Sequence, residues 1–224
     1  MARKSPASTE VTLESVTIKA PNFHVATFKI VGTAPYVQAK FSAKAKNQMR
    51  EKMAGGSRSK KGKAREARDF EADYKGAMHI SREGWAGIPA SSIRSACISA
   101  CRLVGFKMTL AKLGVFAEAD GFDVDEGTPL IRIHGKPHSH EQHVRNATGV
   151  VDLRVRPMWN EWHANVRISW DADLFNATDI LNLLSRVGRQ VGLGEGRPDS
   201  KQSSGQGWGL FKVELMESQE SVNV

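Results

Sequence analysis

The chain has 224 residues, 40% of them hydrophobic, a formal net charge of +8 and two cysteines. That is enough apolar material for one sizeable core, and no run reaches the roughly 18 apolar residues of a membrane-spanning helix. The charge is concentrated: between Lys40 and Arg68 eleven basic residues face only Glu51 and Glu66, a surplus of nine, and the rest of the chain is slightly acidic. A local positive field of this size attracts polyanions through counterion release, which favours nucleic acid over a membrane surface; a merely solvated insertion is the plainer reading.

Residues 1–9 read as a disordered start, and the first ten residues lack the apolar run of a signal peptide. Val11–Lys19 and Phe23–Val31 alternate apolar and polar residues, predicting two strands turned at Pro21 and Asn22. Phe41–Ala54 predicts a helix with Ser42 as a cap and a narrow stripe of Ala45, Met49 and Met53. Residues 57–69 have no apolar face, so the expectation is a mobile basic arm that orders on a polyanion. Tyr74–Ile80 reads as a strand. Ser91 or Ser92 then caps a helix reaching about Val104, whose stripe of Ile93, Ala96, Cys97, Ala100 and Leu103 belongs on a sheet. Cys97 and Cys101 lie four apart on that helix, where a disulfide is geometrically poor; reduced thiols in a cytoplasm are expected.

Met108–Leu113 continues as helix, with a short strand around Val115. The acidic turn Asp120–Glu126 lacks the spacing of a calcium loop. Leu130–His134, Val150–Arg156 and Trp162–Trp170 predict strands, the last two joined by a turn at Pro157–Glu161; Asp179–Val187 predicts a helix and Leu210–Leu215 a final strand. This order gives an α+β fold: a ferredoxin-like, mostly antiparallel sheet with helices on one face and a flexible basic insertion at about 40–75. One domain spans 10–216, followed by a tail at 217–224.

Two stretches carry candidate chemistry. Val187–Val213 holds seven of the twenty glycines together with Arg189, Arg197, Lys201 and Trp208. Exposed backbone N–H groups, cations and an aromatic suit a phosphate–sugar backbone with stacked bases, whereas a plain connector needs none of them. His134, His138, His140 and His143 match no standard zinc spacing; they read as an exposed polar turn, or alternatively as general acid–base groups for metal-independent RNA cleavage. No phosphate loop of the G-x-x-x-x-G-K-[ST] type and no nucleophile–base–acid trio is legible, and neither a cofactor nor a metal is implied.

Gly87-Ile88-Pro89-Ala90-Ser91-Ser92-Ile93-Arg94, followed by a helix of small residues, resembles the "I-P-G-S-S-[LI]-[KR]" helix start of the RAMP superfamily, the RRM-like RNA-binding proteins that form the backbone of CRISPR effector complexes. Ala90 stands where that superfamily often has glycine. Gly192–Pro198 through Gly207–Phe211 resembles the superfamily's C-terminal glycine-rich loop. Over roughly residues 25–215 the chain is also similar to a group of tailed-phage proteins, through Pro35 with Phe41–Lys46, the "D-L-R-x-R-P" stretch Asp152–Pro157 and the "G-x-G-E-x-R-P" stretch Gly192–Pro198. The resemblance implies that the helix start and the glycine loop lie against a nucleic-acid strand, with the insertion folding over it, and that copies polymerise along the strand without reading its sequence; a phage-encoded chain would act in the bacterial host cytoplasm.

The expected function is therefore a non-catalytic, sequence-independent binder of single-stranded nucleic acid, RNA slightly ahead of DNA, forming a homo-oligomer along the strand. Phosphate contacts are expected from Lys44, Lys46, Arg50, Arg58, Lys60, Lys61, Lys63, Arg65 and Arg68. Ser91, Ser92 and Arg94 are expected to set backbone register, with Arg189, Arg197, Lys201 and Trp208 contributed by the loop. A phage protein annealing single-stranded DNA, the histidine endoribonuclease and a protein that binds an acidic partner are the competing expectations.

Overall fold

The structure, a computed structural model, describes residues 18–41, 43–54, 68–145, 149, 151–200 and 205–215. Its main sheet grows from β1 (Phe23–Gly32), where His24, Ala26, Phe28 and Ile30 share one face and Phe28 and Ile30 are buried, as the alternation predicts. After β2 (Tyr36–Val37), α1 (Ala43–Ala54), α2 (Phe70–Gly76) and β3 (Gly87–Pro89) comes α3 (Ala90–Cys101). Then follow α4 (Met108–Gly114), β4 (Val115–Ala117), β5 (Gly121–Phe122), β6 (Pro129–His134), β7 (His138–Arg145), β8 (Val151–Trp159), β9 (His163–Asp171), α5 (Ala177–Arg186) and β10 (Phe211–Leu215).

The central strand order is β10-β1-β9-β6, all antiparallel neighbours. With α3 between β1 and β6 and α5 between β9 and β10, this is the double split βαβ arrangement of a ferredoxin-like fold. β3 extends the sheet beyond β6. β1 and β9 pair continuously from Phe23↔Asp171 to Val31↔His163. Ala164, Val166, Ile168 and Trp170 of β9 are buried beside Ile93, Ala96, Cys97 and Ala100 of α3 and Ile180, Leu183 and Leu184 of α5. Asn176 caps α5: its side chain accepts from the Asp179 amide while the Asp179 carboxylate accepts from the Asn176 amide. Such a capping box is worth roughly 1 kcal/mol.

A second sheet, β2-β8-β7, rises from the connection between β6 and β9. Trp159 closes it against the core, with its ring 5.6 Å from Tyr36; Trp162 lies 5.5 Å from the same tyrosine and donates its indole N–H to Ala34 O at 2.9 Å.

Several expectations need correcting. Tyr74–Ile80 is not a strand: Asp69 caps α2 by accepting from the Ala72 amide, and Glu71 and Asp73 in the first turn suit the helix dipole. Pro89, not a serine, holds the cap position of α3, so Ser91 and Ser92 belong to its first turn. The helix ends at Cys101 and tightens into a 3₁₀ turn through Val104, which Gly105 terminates at φ +70°. The histidine stretch at 138–143 is strand β7, paired with β8, because its polar residues alternate across a two-faced ribbon. The turn placed at Pro157–Glu161 starts later, since β8 continues through Trp159. Met49 and Met53 of α1 are 48% and 77% exposed, so these two residues of the expected stripe do not face the core; the Ala45 side chain lies outside the described residues. Of the predicted strand at 11–19, residues 11–17 lie outside the described residues, as do residues 57–67 of the arm.

Candidate functional site

The sequence-predicted residues are divided by the fold. Following α5, a π-turn at Val187–Val191 leads into the glycine loop. Among its described residues the loop is not a slack connector. Its backbone is tied down by Leu193 N to Gly209 O at 3.0 Å, Glu195 N to Val37 O at 2.9 Å, Gly209 N to Pro35 O at 2.7 Å and Asp199 N to Val191 O at 3.1 Å. Two positions require glycine. Gly209 has φ +70°, and a Cβ there would collide with Leu193 O; Gly194 has φ +77°, and a Cβ would collide with Val37 O.

The loop's far end is clasped to α3. Ser99 Oγ donates to the Asp199 carboxylate, and Arg102 Nη2 reaches the other Asp199 oxygen at 2.7 Å. The Ser99 hydrogen bond, opposed by partial burial and assisted by Arg102, holds the Asp199 carboxyl below its ordinary value. Between loop and helix lies an open groove of about 970 Å³, walled by Gly192–Arg197 on one side and by Ser91, Ser92, Ser95 and Ser99 on the other. The helix start and the glycine loop, 100 residues apart in sequence, thus face each other.

Cations rim this groove. Lys112 of α4 is exposed and makes no ion pair among the described residues. Arg154 of β8 has only long contacts, 3.7 Å to Glu195 and 3.9 Å to Asp152. Arg197 spends one N–H on Gly194 O at 3.0 Å. The acidic Glu195 is held by Arg156 at 2.8 Å, which leaves Arg154 the less constrained of the two arginines. Backbone N–H groups, hydroxyls and cations on facing walls can hold an anionic chain without contacting base edges.

The other predicted residues lie elsewhere or are already engaged. Arg94 donates to the carbonyls of Val115 (3.1 Å) and Lys112 and sits over the Phe116 ring at 4.8 Å, bracing α3 on α4 and β4. Arg189 lines a separate cavity of about 770 Å³ beside α5. Trp208 packs against Gly196 and meets His140 edge-on at 5.4 Å. Lys46 pairs with Glu126, and Arg68 bridges Asp73 (2.5 Å) and Asp152 (2.9 Å). Arg50 is exposed on α1. Nothing is described of Arg58, Lys60, Lys61, Lys63, Arg65 and Lys201, nor of the Lys44 side chain. The four histidines of the predicted cluster do not converge: His134 stacks on His163 at 4.6 Å, and along β7 His138 and His140 share a face opposite to that of His143.

Sequence reasoning missed the cluster behind the groove. Lys40, counted as part of the basic segment, is buried and bonded to Asp123 at 2.9 and 3.0 Å and to Asp125 at 2.6 Å. His79, which lines the groove, holds Asp123 Oδ2 through Nδ1 at 2.9 Å. Burial opposes the Lys40 charge, but the hydrogen bonds it donates to both aspartates outweigh it and raise its pKa. Burial likewise opposes ionisation of Asp123, and Lys40, His79 and the Asp125 amide overcome it and lower its pKa. Burial is the largest influence on His79 and lowers its pKa. Arg154 and Lys112 were visible only as members of a strand and a helix; which faces those elements turn to the groove is decided by tertiary packing.

No protein-family model matches the chain, and no curated protein does. Among solved structures, the chain is similar to one in the cryo-EM structure of the Type III-B Cmr-beta bound to cognate target RNA, at 14% identity and a TM-score of 0.46. The likeness covers 88% of this chain and 60% of that one, so this chain spans about three fifths of that length.

Proposed function

We propose that the protein binds single-stranded nucleic acid through its phosphate–sugar backbone, in the groove between α3 and the glycine loop. The observation that carries this reading is the groove itself: an open channel of about 970 Å³ lined by α3 hydroxyls, by the glycine-loop backbone and by Lys112, Arg154 and Arg197. The contacts on offer are cations, hydroxyls and backbone amides, which recognise a strand without regard to its sequence. The open face of the main sheet is a poorer candidate. Its two central strands present Phe23, Val25, Thr27, Lys29 and Val31, and His163, Asn165, Arg167, Ser169 and Asp171; the rings among them already meet other rings, Phe23 against Phe116 at 5.9 Å and His163 stacked on His134 at 4.6 Å. Two of its cations are also spent, Lys29 on Glu214 at 3.0 Å and Arg167 on Glu118 at 2.9 Å.

The test is to block the channel. Ser95 is an exposed α3 residue on the groove wall, so Ser95→Trp fills the channel without touching the core. Fluorescence anisotropy with a labelled 12-nucleotide homopolymer should show affinity falling more than tenfold while the melting temperature is unchanged. Unchanged affinity in a folded Ser95→Trp protein overturns the reading.

A further inference from the structure

We infer that His79 makes the groove a ribose-sensing site, accepting a hydrogen bond from a strand's 2′-hydroxyl and so favouring RNA over DNA. The inference rests on the proposed groove reading and names which strand that groove prefers.

The tautomer follows from the partners. Asp123 is fully buried, and its carboxylate receives Lys40 Nζ on both oxygens and the Asp125 amide at 2.9 Å on Oδ1. An ionised carboxylate only accepts, so the 2.9 Å contact to His79 Nδ1 requires Nδ1 to carry the proton. A neutral imidazole with a protonated Nδ1 has a lone pair on Nε2, and burial, opposed by Asp123, keeps this ring neutral at neutral pH. The ring is 14% exposed and lines the groove, and Nε2 has no partner among the described residues. The ring is also fixed from its backbone, because the His79 amide donates to Gln38 Oε1 at 2.7 Å.

The surroundings make this atom selective. Gln38, its neighbour on the groove wall, uses its own amide N–H groups on Gly87 O (2.8 Å) and Tyr36 Oη (3.1 Å), so it has little left to offer a ligand. The cations at the rim attract any phosphate, whether RNA or DNA. An oriented acceptor is different in kind: it rewards a ligand donor and gains nothing from a phosphate oxygen. On a nucleic-acid backbone the 2′-hydroxyl is the group that supplies such a donor, and it is what separates RNA from DNA.

The experiment compares matched 12-mers of uridine carrying 2′-hydroxyl, 2′-deoxy and 2′-fluoro sugars. The fluoro strand keeps an RNA-like sugar but cannot donate. The wild-type protein should bind the hydroxyl strand about fivefold more tightly than either of the others, the scale of one hydrogen bond. His79→Phe, which keeps the ring and removes the acceptor, should bind all three with the affinity wild type shows for the deoxy strand. Equal wild-type affinity for hydroxyl and fluoro strands overturns the ribose inference and leaves the groove reading intact. A hydroxyl preference retained by His79→Phe overturns it as well, and absence of binding to every strand overturns both. The fluoro comparison uses wild type alone, so the test stands even if the variant folds poorly.

Discussion

Replacing the two least-constrained rim cations should change the salt dependence of binding by a calculable amount. Lys112 has no ion-pair partner among the described residues, and the arginine contacts of Arg154 are no shorter than 3.7 Å. Neither side chain anchors the fold, so Lys112→Gln/Arg154→Gln should leave stability within about 0.5 kcal/mol of wild type. For a single strand, each neutralised phosphate contributes about −0.7 to the slope of log K against log salt, so losing two contacts flattens it by about 1.4. Between 50 and 200 mM salt, a change of about 0.6 in log salt, wild type should then lose roughly sevenfold more affinity than the variant.

The assay is anisotropy of a labelled 12-mer across that salt range, with circular dichroism to establish folding. A slope unchanged by the double variant would refute the claim that these two side chains meet phosphates. A uniform loss of affinity at constant slope would show that they act by shaping the groove and not by charge. Arg94 gives an internal comparison: its guanidinium is committed to the Lys112 and Val115 carbonyls, so its loss should lower stability and leave the slope alone.

Other outcomes follow from the same structure. Asp123→Asn takes from buried Lys40 its buried carboxylate and leaves it only the half-exposed Asp125, and should cost about 3 kcal/mol in chemical denaturation. The wild-type fold should also weaken on acidification in two stages. His79 has a depressed pKa, so the unfolded chain takes up more protons below about pH 6.5; Asp123 is depressed too, and its contribution, full above about pH 4, is lost as pH falls further. Thermal melts from pH 8 to pH 3 check this, and His79→Phe should remove the contribution that His79 makes to the upper stage. Gly209→Ala combines a positive φ with a collision against Leu193 O, and should cost more than about 2 kcal/mol and weaken strand binding through the displaced loop.

The sheet was legible because its strands carry their instructions locally. Phe28 and Ile30 alternate with Thr27 and Lys29, and Ala164, Val166 and Ile168 alternate with Asn165 and Arg167, so the faces can be read from the chain. The glycine loop was legible for the same reason, since φ +70° to +77° at Gly192, Gly194, Gly196 and Gly209 restricts what those positions tolerate. Helix α2 was missed because Tyr74, Ala77, Met78 and Ile80 satisfy either period, and the deciding feature is the Asp69 cap five residues before Tyr74. The groove's cations were mostly missed because a basic residue looks the same in sequence whether paired or free. Lys40, Lys46 and Arg68 belong to the basic run yet each meets carboxylates from beyond it, Asp123, Glu126 and Asp152.

That pairing changes what the charge run can be asked to explain. A surplus of nine read as a uniform field would have the insertion itself as the binding site, whereas three of its cations are structural: Lys40 ties the start of the insertion to the Asp123 turn, Lys46 ties α1 to the same turn, and Arg68 ties its end to β8. Both ends of the insertion are therefore fastened around β8 and the acidic turn, near His79 and Arg154 of the groove. The acidic stretch Asp120–Glu126, which in sequence suggests a cation site, serves instead as the socket for this fastening. On this reading the fold uses charge twice: closely paired charges set where the insertion leaves and rejoins the body, and Lys112, with no ion pair among the described residues, and Arg154, with only long ones, remain for a ligand. Under the proposed function, cations of the insertion beyond Lys40, Lys46 and Arg68 would be second contacts for a strand in the groove, because the insertion's roots lie beside it.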